Sequence, residues 1–261
     1  MKIVGLVRCL NEEKNIVQFL DNVFQFQDHV CIVDGGSTDR TGELVNEWRL
    51  RNRVSFVIWD DFTEGSISDK VYFTHEARQL NQGLETIRRR FPREEVYVIL
   101  SDVDEHFCPR VQKHLREELG KGIDSARLWG IHLVNDPDHF AIRSSGALVI
   151  GEPTTVKIGR LTPDMRFLGA AHSTHLNETY PNATVLQGAT FHYGYMDREE
   201  ERKKIAIRAV ALGWLDDTYQ ALSNRQNEYE VERAPTELCD PDCETCWISD
   251  YFYFLKENSL A

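Results

Sequence analysis

The chain has 261 residues, with 30 Lys and Arg against 42 Asp and Glu, a formal charge of −12. Apolar residues make up 41%, including 5 Trp, 13 Phe and 9 Tyr, enough for a substantial core; this excludes disorder, collagen and coiled coil as descriptions of the whole chain. The longest apolar runs, such as Val96–Leu100, fall far short of the ~20 residues a bilayer span needs, and the negative charge disfavours nucleic acid and anionic lipid as partners.

Lys2–Val7 is a short apolar run read as a buried strand. It is too short for a signal peptide, which makes the cytoplasm the expected location. Asn11 precedes Glu12 and Glu13 as an N-cap precedes an acid-rich first turn, and Ile16, Phe19, Leu20 and Val23 follow at helical spacing. Val30–Val33 is a second strand, stopping at Asp34-Gly35-Gly36-Ser37-Thr38-Asp39. A helix with Leu44, Val45 and Trp48 on one face comes next, then a third strand over Val54–Trp59 and a mostly helical stretch over Phe73–Arg90. Val96–Leu100 is a fourth strand and ends at Ser101-Asp102-Val103-Asp104. Pro109 suits the first turn of a helix closed by Gly120 and Gly122. Strands alternating with helical segments imply β-α-β units and a mostly parallel sheet. Ligands of such sheets bind outside the carboxyl ends of the strands, which singles out Arg8, Asp34, Asp102 and Asp104.

The second half is less regular. Ala126–Val134 and Ala147–Ile150 read as strands, and residues 151–195 as loops with short strands. Asp197-Arg198-Glu199-Glu200 resembles a capping box opening a charged helix that runs to about Leu212. From Arg225 to Cys246 seven acids face two bases, so this segment supplies much of the net charge. The aromatic tail Tyr251–Leu255 either packs back on the body or forms an interface. Of six cysteines, Cys239, Cys243 and Cys246 are spaced as metal ligands, for zinc or an iron–sulfur cluster. No fourth ligand follows nearby, which favours free cysteines or one local disulfide. Asn177 and Asn182 head N-glycosylation triplets, read as chance matches in a chain without a secretion signal.

The chemistry centres on Asp102 and Asp104. In an extended segment, residues i and i+2 share a side, so both carboxylates can hold one hard cation such as Mg2+ or Mn2+. That cation would bridge a nucleotide diphosphate and neutralise charge as the diphosphate leaves. Neither a Gly-x-Gly-x-x-Gly nor a Gly-x4-Gly-Lys-Ser/Thr segment is present, so a P-loop or dinucleotide site is excluded. Asp34 closes a tight turn, where its carboxylate could accept from a base N–H or a ribose hydroxyl.

Three segments in register resemble family 2 glycosyltransferases of the GT-A fold: Val7–Asn15, Ile32–Thr41 and Leu100–Glu105. Ala77–Gly83 resembles the family's Ala-Arg-Asn-x-Gly stretch. Phe191-His192-Tyr193-Gly194-Tyr195-Met196-Asp197 is similar to the end of the catalytic region in the branch containing lipopolysaccharide-core glucosyltransferases. The resemblance implies a GT-A, Rossmann-like α/β fold: a mostly parallel central sheet flanked by helices, an irregular acceptor-side half and C-terminal helices. Residues 1–107 would be the nucleotide-sugar half, 108–196 the acceptor-side half of the same domain, and 197–261 a helical and acidic extension.

It further implies that Arg8, Asn11 and Glu12 line the nucleotide pocket, and that Asp34 contacts the base, commonly uracil. Arg78 would sit near the base or diphosphate and Asp102 near the ribose and metal. Asp104 would be the direct metal ligand and His192 a later metal or diphosphate contact. Many relatives carry a His-Glu pair whose Glu acts as base. Here Ala171–Glu178 occupies that region without a clean match, leaving Glu178 as first candidate and Asp164 as second. The arginine motif and membrane helices of processive synthases are missing. The expected activity is transfer of one sugar, a hexose, from a nucleoside diphosphate sugar, uridine-linked, to a hydroxyl of a saccharide or other acceptor. The expected course is inversion with Mn2+ or Mg2+, and without stable membrane insertion. A sugar-nucleotide-forming nucleotidyltransferase and an inactive nucleotide-sugar-binding module are the alternatives.

Overall fold

The computed structural model describes residues 1–52, 57–61, 76–134, 139–144, 147–148, 156–168, 176, 179–195 and 229–233. The expected helix after Asp197, the aromatic tail, the three C-terminal cysteines, His172, His175 and Glu178 lie outside them. The chain divides into two compact units: Met1–Asp104 with Ile123–Ala126 and Thr155–Thr184, and Glu105–Gly122 with Arg127–Thr154 and Val185–Ala261.

The first unit is built on β1 (Lys2–Cys9), β2 (His29–Asp34), β3 (Val57–Asp61), β4 (Val96–Leu100) and β9 (Val156–Arg160), in the order β3-β2-β1-β4-β9. The first four are parallel and β9 runs antiparallel to β4. Every residue of β1 from Ile3 to Cys9 is buried, as is every residue of β2. A strand buried on both faces is mostly apolar, and the uninterrupted run Ile3–Val7 is that pattern, with Arg8, His29 and Asp34 buried only at strand ends. This is the GT-A arrangement that the sequence leads one to expect.

Helix α1 (Ile16–Val23) buries Ile16, Phe19, Leu20 and Val23, a stripe at i, i+3, i+4 and i+7. Each such side chain contributes about 1.5–3 kcal/mol of burial. Helix α2 (Thr41–Arg51) buries Thr41, Val45 and Trp48, while Leu44 is only half-buried. The two helices meet through Phe24 and Trp48, ring centroids 4.9 Å apart, and Trp48 Nε1 donates to Asp21 Oδ1 at 2.6 Å. Helix α3 (Glu76–Arg90) lays Leu80, Leu84 and Ile87 on Val4, Leu6, Cys31 and Val33. Gly83 makes the approach possible: a Cβ there would stand 2.4 Å from Leu6 Cδ1 and 2.8 Å from Val33 Cγ2.

Two expectations shift. The third strand runs on to Asp61, past its expected end at Trp59, while its expected start at Val54 lies outside the described residues. Asn11 does not cap α1. The helix starts at Ile16, and Asn11 takes a left-handed backbone (φ 56°) that sends its carboxamide to another loop.

In the second unit α4 (Pro109–Gly120) starts on Pro109 as expected, buries Val111, Leu115 and Leu119, and is followed by Gly122 at φ 88°. Its strands are β5 (Glu105–Phe107), β6 (Ser125–Val134) from Arg127 on, β7 (His139–Ser144), β8 (Ala147–Leu148), β10 (Thr184–Tyr195) from Val185 on, and β11 (Tyr229–Arg233). The region expected to be loops with short strands thus holds the 12-residue β10, which pairs antiparallel with β5 and also borders β6. Within the acidic segment β11 pairs with β7 across a bulge at Glu230/Val231. Among the described residues no helix is long and apolar enough to cross a membrane.

Candidate active site at the carboxyl ends of the strands

Register sets which residues share a rim. Cys9 is opposite Asp34 across β1 and β2, and Leu6 is opposite Leu100 across β1 and β4. The chain leaving β4 is held to β1 by Ser101 N donating to Leu6 O at 3.3 Å. Asp102 and Asp104 follow two and four residues past the strand end. Asp102 is exposed, Val103 buried and Asp104 half-buried, and the two carboxylates offer oxygens within 4.8 Å of each other. The chain is not extended here as expected: it turns at Val103 and Asp104 before β5 begins at Glu105. Two such oxygens suit a hard divalent cation, which takes carboxylate ligands at 2.0–2.6 Å.

His192 stands on β10, half-buried, with Glu105 as its cross-strand partner. Glu105 is the residue bonded to Asp104, and it is itself buried.

The loops after β1 and β2 are locked together. Asn11 N donates to Ser37 Oγ (2.9 Å), and Asn11 Oδ1 accepts from Thr38 N (2.8 Å) and Asp39 N (3.3 Å). Glu12 N donates to Thr41 Oγ1 (2.8 Å), Glu13 N to Asp39 Oδ2 (3.1 Å), and Arg40 N to Glu13 Oε2 (3.2 Å). Asp39 accepts in turn from Thr41 N (3.0 Å) and Thr41 Oγ1 (2.5 Å). Burial would raise the Asp39 pKa, but the hydrogen bonds from Thr41 and Glu13 outweigh it and hold it below the ordinary value. The part played by Ser37, Asp39 and Thr41 was not anticipated. Its signal in the sequence was a polar run after β2 facing a second polar run after β1.

Asp34, 5% exposed, is fully engaged. Oδ2 accepts from Gly36 N and Ser37 N, both at 3.0 Å, and Oδ1 from Ser37 Oγ (2.6 Å) and Cys9 Sγ (3.4 Å). Burial pushes the Cys9 thiol well up, and the Asp34 charge adds to it. Arg8 is buried, with Nη2 3.4 Å from Glu76 Oε1 at the start of α3. Arg78, two residues on, is exposed.

Asp164 is not brought to this rim. Leu161 N donates to Val96 O, so the loop after β9 leaves from the amino end of β4, about 15 Å away along the strand. The loop is then tied along α3. Arg88 Nη2 donates to Thr162 O (3.1 Å) and to Met165 O, and Asn81 exchanges two bonds with the Phe167 backbone (2.9 and 3.0 Å). Asp164 lines an open cleft of about 620 Å³ with Asn81, Glu85, Arg88 and Arg166. The Thr162 hydroxyl, with Arg88 and Arg166 nearby, holds its carboxyl below the ordinary value, which weakens it as a base.

Residues 6–68 match the model of glycosyl transferase family 2. No curated protein matches the chain. Among solved structures, a mannosyltransferase from Pyrobaculum calidifontis in complex with GDP-Man and Mn2+ is 19% identical, with TM-score 0.37, over 49% of this chain; the chain spans only 35% of that protein. Glucosyl-3-phosphoglycerate synthase from Mycobacterium tuberculosis, in complex with Mn2+, UDP and glucosyl-3-phosphoglycerate, is 14% identical, with TM-score 0.45, over 82% of this chain and 81% of its own. A mycobacterial protein is 12% identical, with TM-score 0.49, over 90% and 84%. The matched segment, from Leu6 to residue 68, carries the end of β1, all of β2 and β3 and the two interlocked loops.

Proposed function

We propose that the protein is a metal-dependent glycosyltransferase that moves one hexose from a nucleoside diphosphate sugar, uridine-linked, to an acceptor hydroxyl with inversion. The observation that carries this reading is the pair of carboxylates, Asp102 and Asp104, just past β4 in a chain whose first strands match glycosyl transferase family 2. Asp102, Asp104 and His192 are the ligand set. His192 is included because it pairs with Glu105, the neighbour of Asp104 in the chain. Mn2+ or Mg2+ bound there supplies positive charge to the departing diphosphate.

The chain's own residues do the rest. The interlocked loops after β1 and β2 hold the nucleoside, with Asn11 and Glu12 at their base and Arg78 toward the diphosphate. The acceptor oxygen attacks the anomeric carbon as the bond from that carbon to the diphosphate oxygen breaks. A carboxylate takes the acceptor proton, and Glu178 is the residue proposed for it. Attack from the face opposite the leaving group inverts the centre. Most of the acceleration comes from holding donor and acceptor in line and from stabilising the leaving group. The acceptor is a saccharide or another hydroxyl compound, and the His192–Asp197 segment supports a place near the lipopolysaccharide-core glucosyltransferases.

The test is a panel of UDP-, GDP- and ADP-sugars with candidate acceptors, with Mn2+, Mg2+ or chelator, read as released nucleoside diphosphate. Release should need the metal and fall at least about a hundredfold in Asp104→Ala. Wild-type rates for that variant in chelator would remove the metal role. Pyrophosphate as the product would place the attack at phosphorus and remove the transferase reading.

A further inference from the structure

We propose that Asp34 is a positioning residue: its carboxylate holds the loops after β1 and β2 in one shape and does not itself bond the nucleobase. This rests on reading that rim as a nucleotide site. An ionised carboxylate offers about four lone-pair positions. All four are taken in Asp34, by Gly36 N, Ser37 N, Ser37 Oγ and Cys9 Sγ. The group is buried, so a base N–H could bond it only by displacing one of these partners. Displacing the buried Cys9 thiol would leave that donor without an acceptor, and displacing any of the other three would break a bond that shapes the loop; either loss offsets what the new bond brings.

The same bonds show what the carboxylate does. Ser37 Oγ donates to Asp34 and accepts from Asn11 N, and Asn11 Oδ1 accepts from Thr38 N and Asp39 N. Asp34 is therefore the root of a chain of bonds running from the end of β2 into the loop after β1. The left-handed backbone of Asn11, which Asn takes more readily than most side chains though less so than glycine, is fixed by this chain of bonds. A pre-shaped loop pair lowers the ordering cost of binding any nucleotide, whichever base it carries. Choice among bases then falls to groups other than the Asp34 carboxylate.

Two variants and two readouts test this. Ser37→Ala removes the relay hydroxyl, and Asp34→Ala removes the root. Both should weaken UDP, GDP and ADP binding, measured calorimetrically with Mn2+, by the same factor of about tenfold, leaving the order of preference unchanged. The donor KM should rise correspondingly with kcat within about twofold, a split that loss of folded protein does not produce. A tenfold change in preference between uridine and the other bases in Asp34→Ala, with Ser37→Ala binding like the wild type, would overturn the proposal. The second readout needs no nucleotide. Hydrogen exchange at the Gly36 and Ser37 amides should accelerate at least about tenfold in Asp34→Ala, and unchanged exchange would also overturn it. If the wild type binds no nucleoside diphosphate, the glycosyltransferase reading fails, and the exchange result still decides whether Asp34 shapes the loops.

Discussion

Cys9 shows how a neighbour sets the chemistry of a side chain. Its thiol is buried beside the Asp34 carboxylate, and both burial and that charge disfavour the thiolate. Thiol reagents at pH 8 should leave the Cys9 peptide unmodified in the folded protein and label it fully once the chain is unfolded, as mapped by mass spectrometry. Rapid labelling in the folded state would contradict the burial. At this scale the sequence was legible for residue type and less so for partner. The Asn11-Glu12-Glu13 run has the letters of a helix start, and local spacing alone assigns it as one. What the letters do not carry is that three donors, Thr38 N, Thr38 Oγ1 and Asp39 N, lie within reach once β1 and β2 pair. A carboxamide serves those donors better than it serves one helix end. The same blindness hides the four donors that Asp34 accepts from, whereas the closeness of Asp102 and Asp104 was legible because both lie within four residues past one strand.

At the scale of elements, α3 depends on a missing side chain. Gly83→Ala should raise intrinsic helix propensity by about 1 kcal/mol. Yet the added methyl would meet Leu6 and Val33 well inside contact distance. Overpacking of that kind costs about 1–3 kcal/mol, so urea denaturation should show a net loss of stability. A variant more stable than the wild type would mean that α3 can move away from the sheet. A second element-level effect comes from His29 at the start of β2, whose ring lies 4.7 Å from that of Phe91 just past α3. Burial lowers its pKa from the ordinary 6.5, with Lys2 and Arg90 adding to the shift and Asp28 and Glu94 opposing it. The folded state therefore binds the His29 proton less readily than the unfolded state does. The related stability is fully present above about pH 6.5 and is lost as pH falls toward the folded-state value. His29→Leu should narrow the difference in melting temperature between pH 8 and pH 5, and an unchanged difference would show that His29 titrates normally. The first-half elements were legible because parallel strands write themselves as unbroken apolar runs. β5, β7 and β10 were not: β5 is the tripeptide Glu105–Phe107, β7 is a short run with polar residues at both ends, and β10 contains Gly188 and Gly194; β5 and β10 also depend on each other, Phe107 facing Thr190, across a long stretch of chain.

For the whole molecule, the proposed metal site would tie ion binding to folding. A cation held by Asp102 and Asp104 binds the folded chain and not the unfolded one, so Mn2+ at about 100 times its Kd should add about 2.7 kcal/mol. Differential scanning fluorimetry should show a melting temperature that climbs with Mn2+ in the wild type and stays level in Asp104→Ala. Equal climbs would place the ion elsewhere. Sheet order has a further consequence, for the chain as it is made. β1 sits between β2 and β4, and β4 lies more than eighty residues downstream of it. A nascent chain that has just released β3 can pair β1 with β2 and β2 with β3, yet it leaves the other side of β1 open, a bare row of amides and carbonyls. Until Val96–Leu100 clears the ribosome, that flank is a template for any passing strand, and synthesis is the interval when this protein most needs a chaperone.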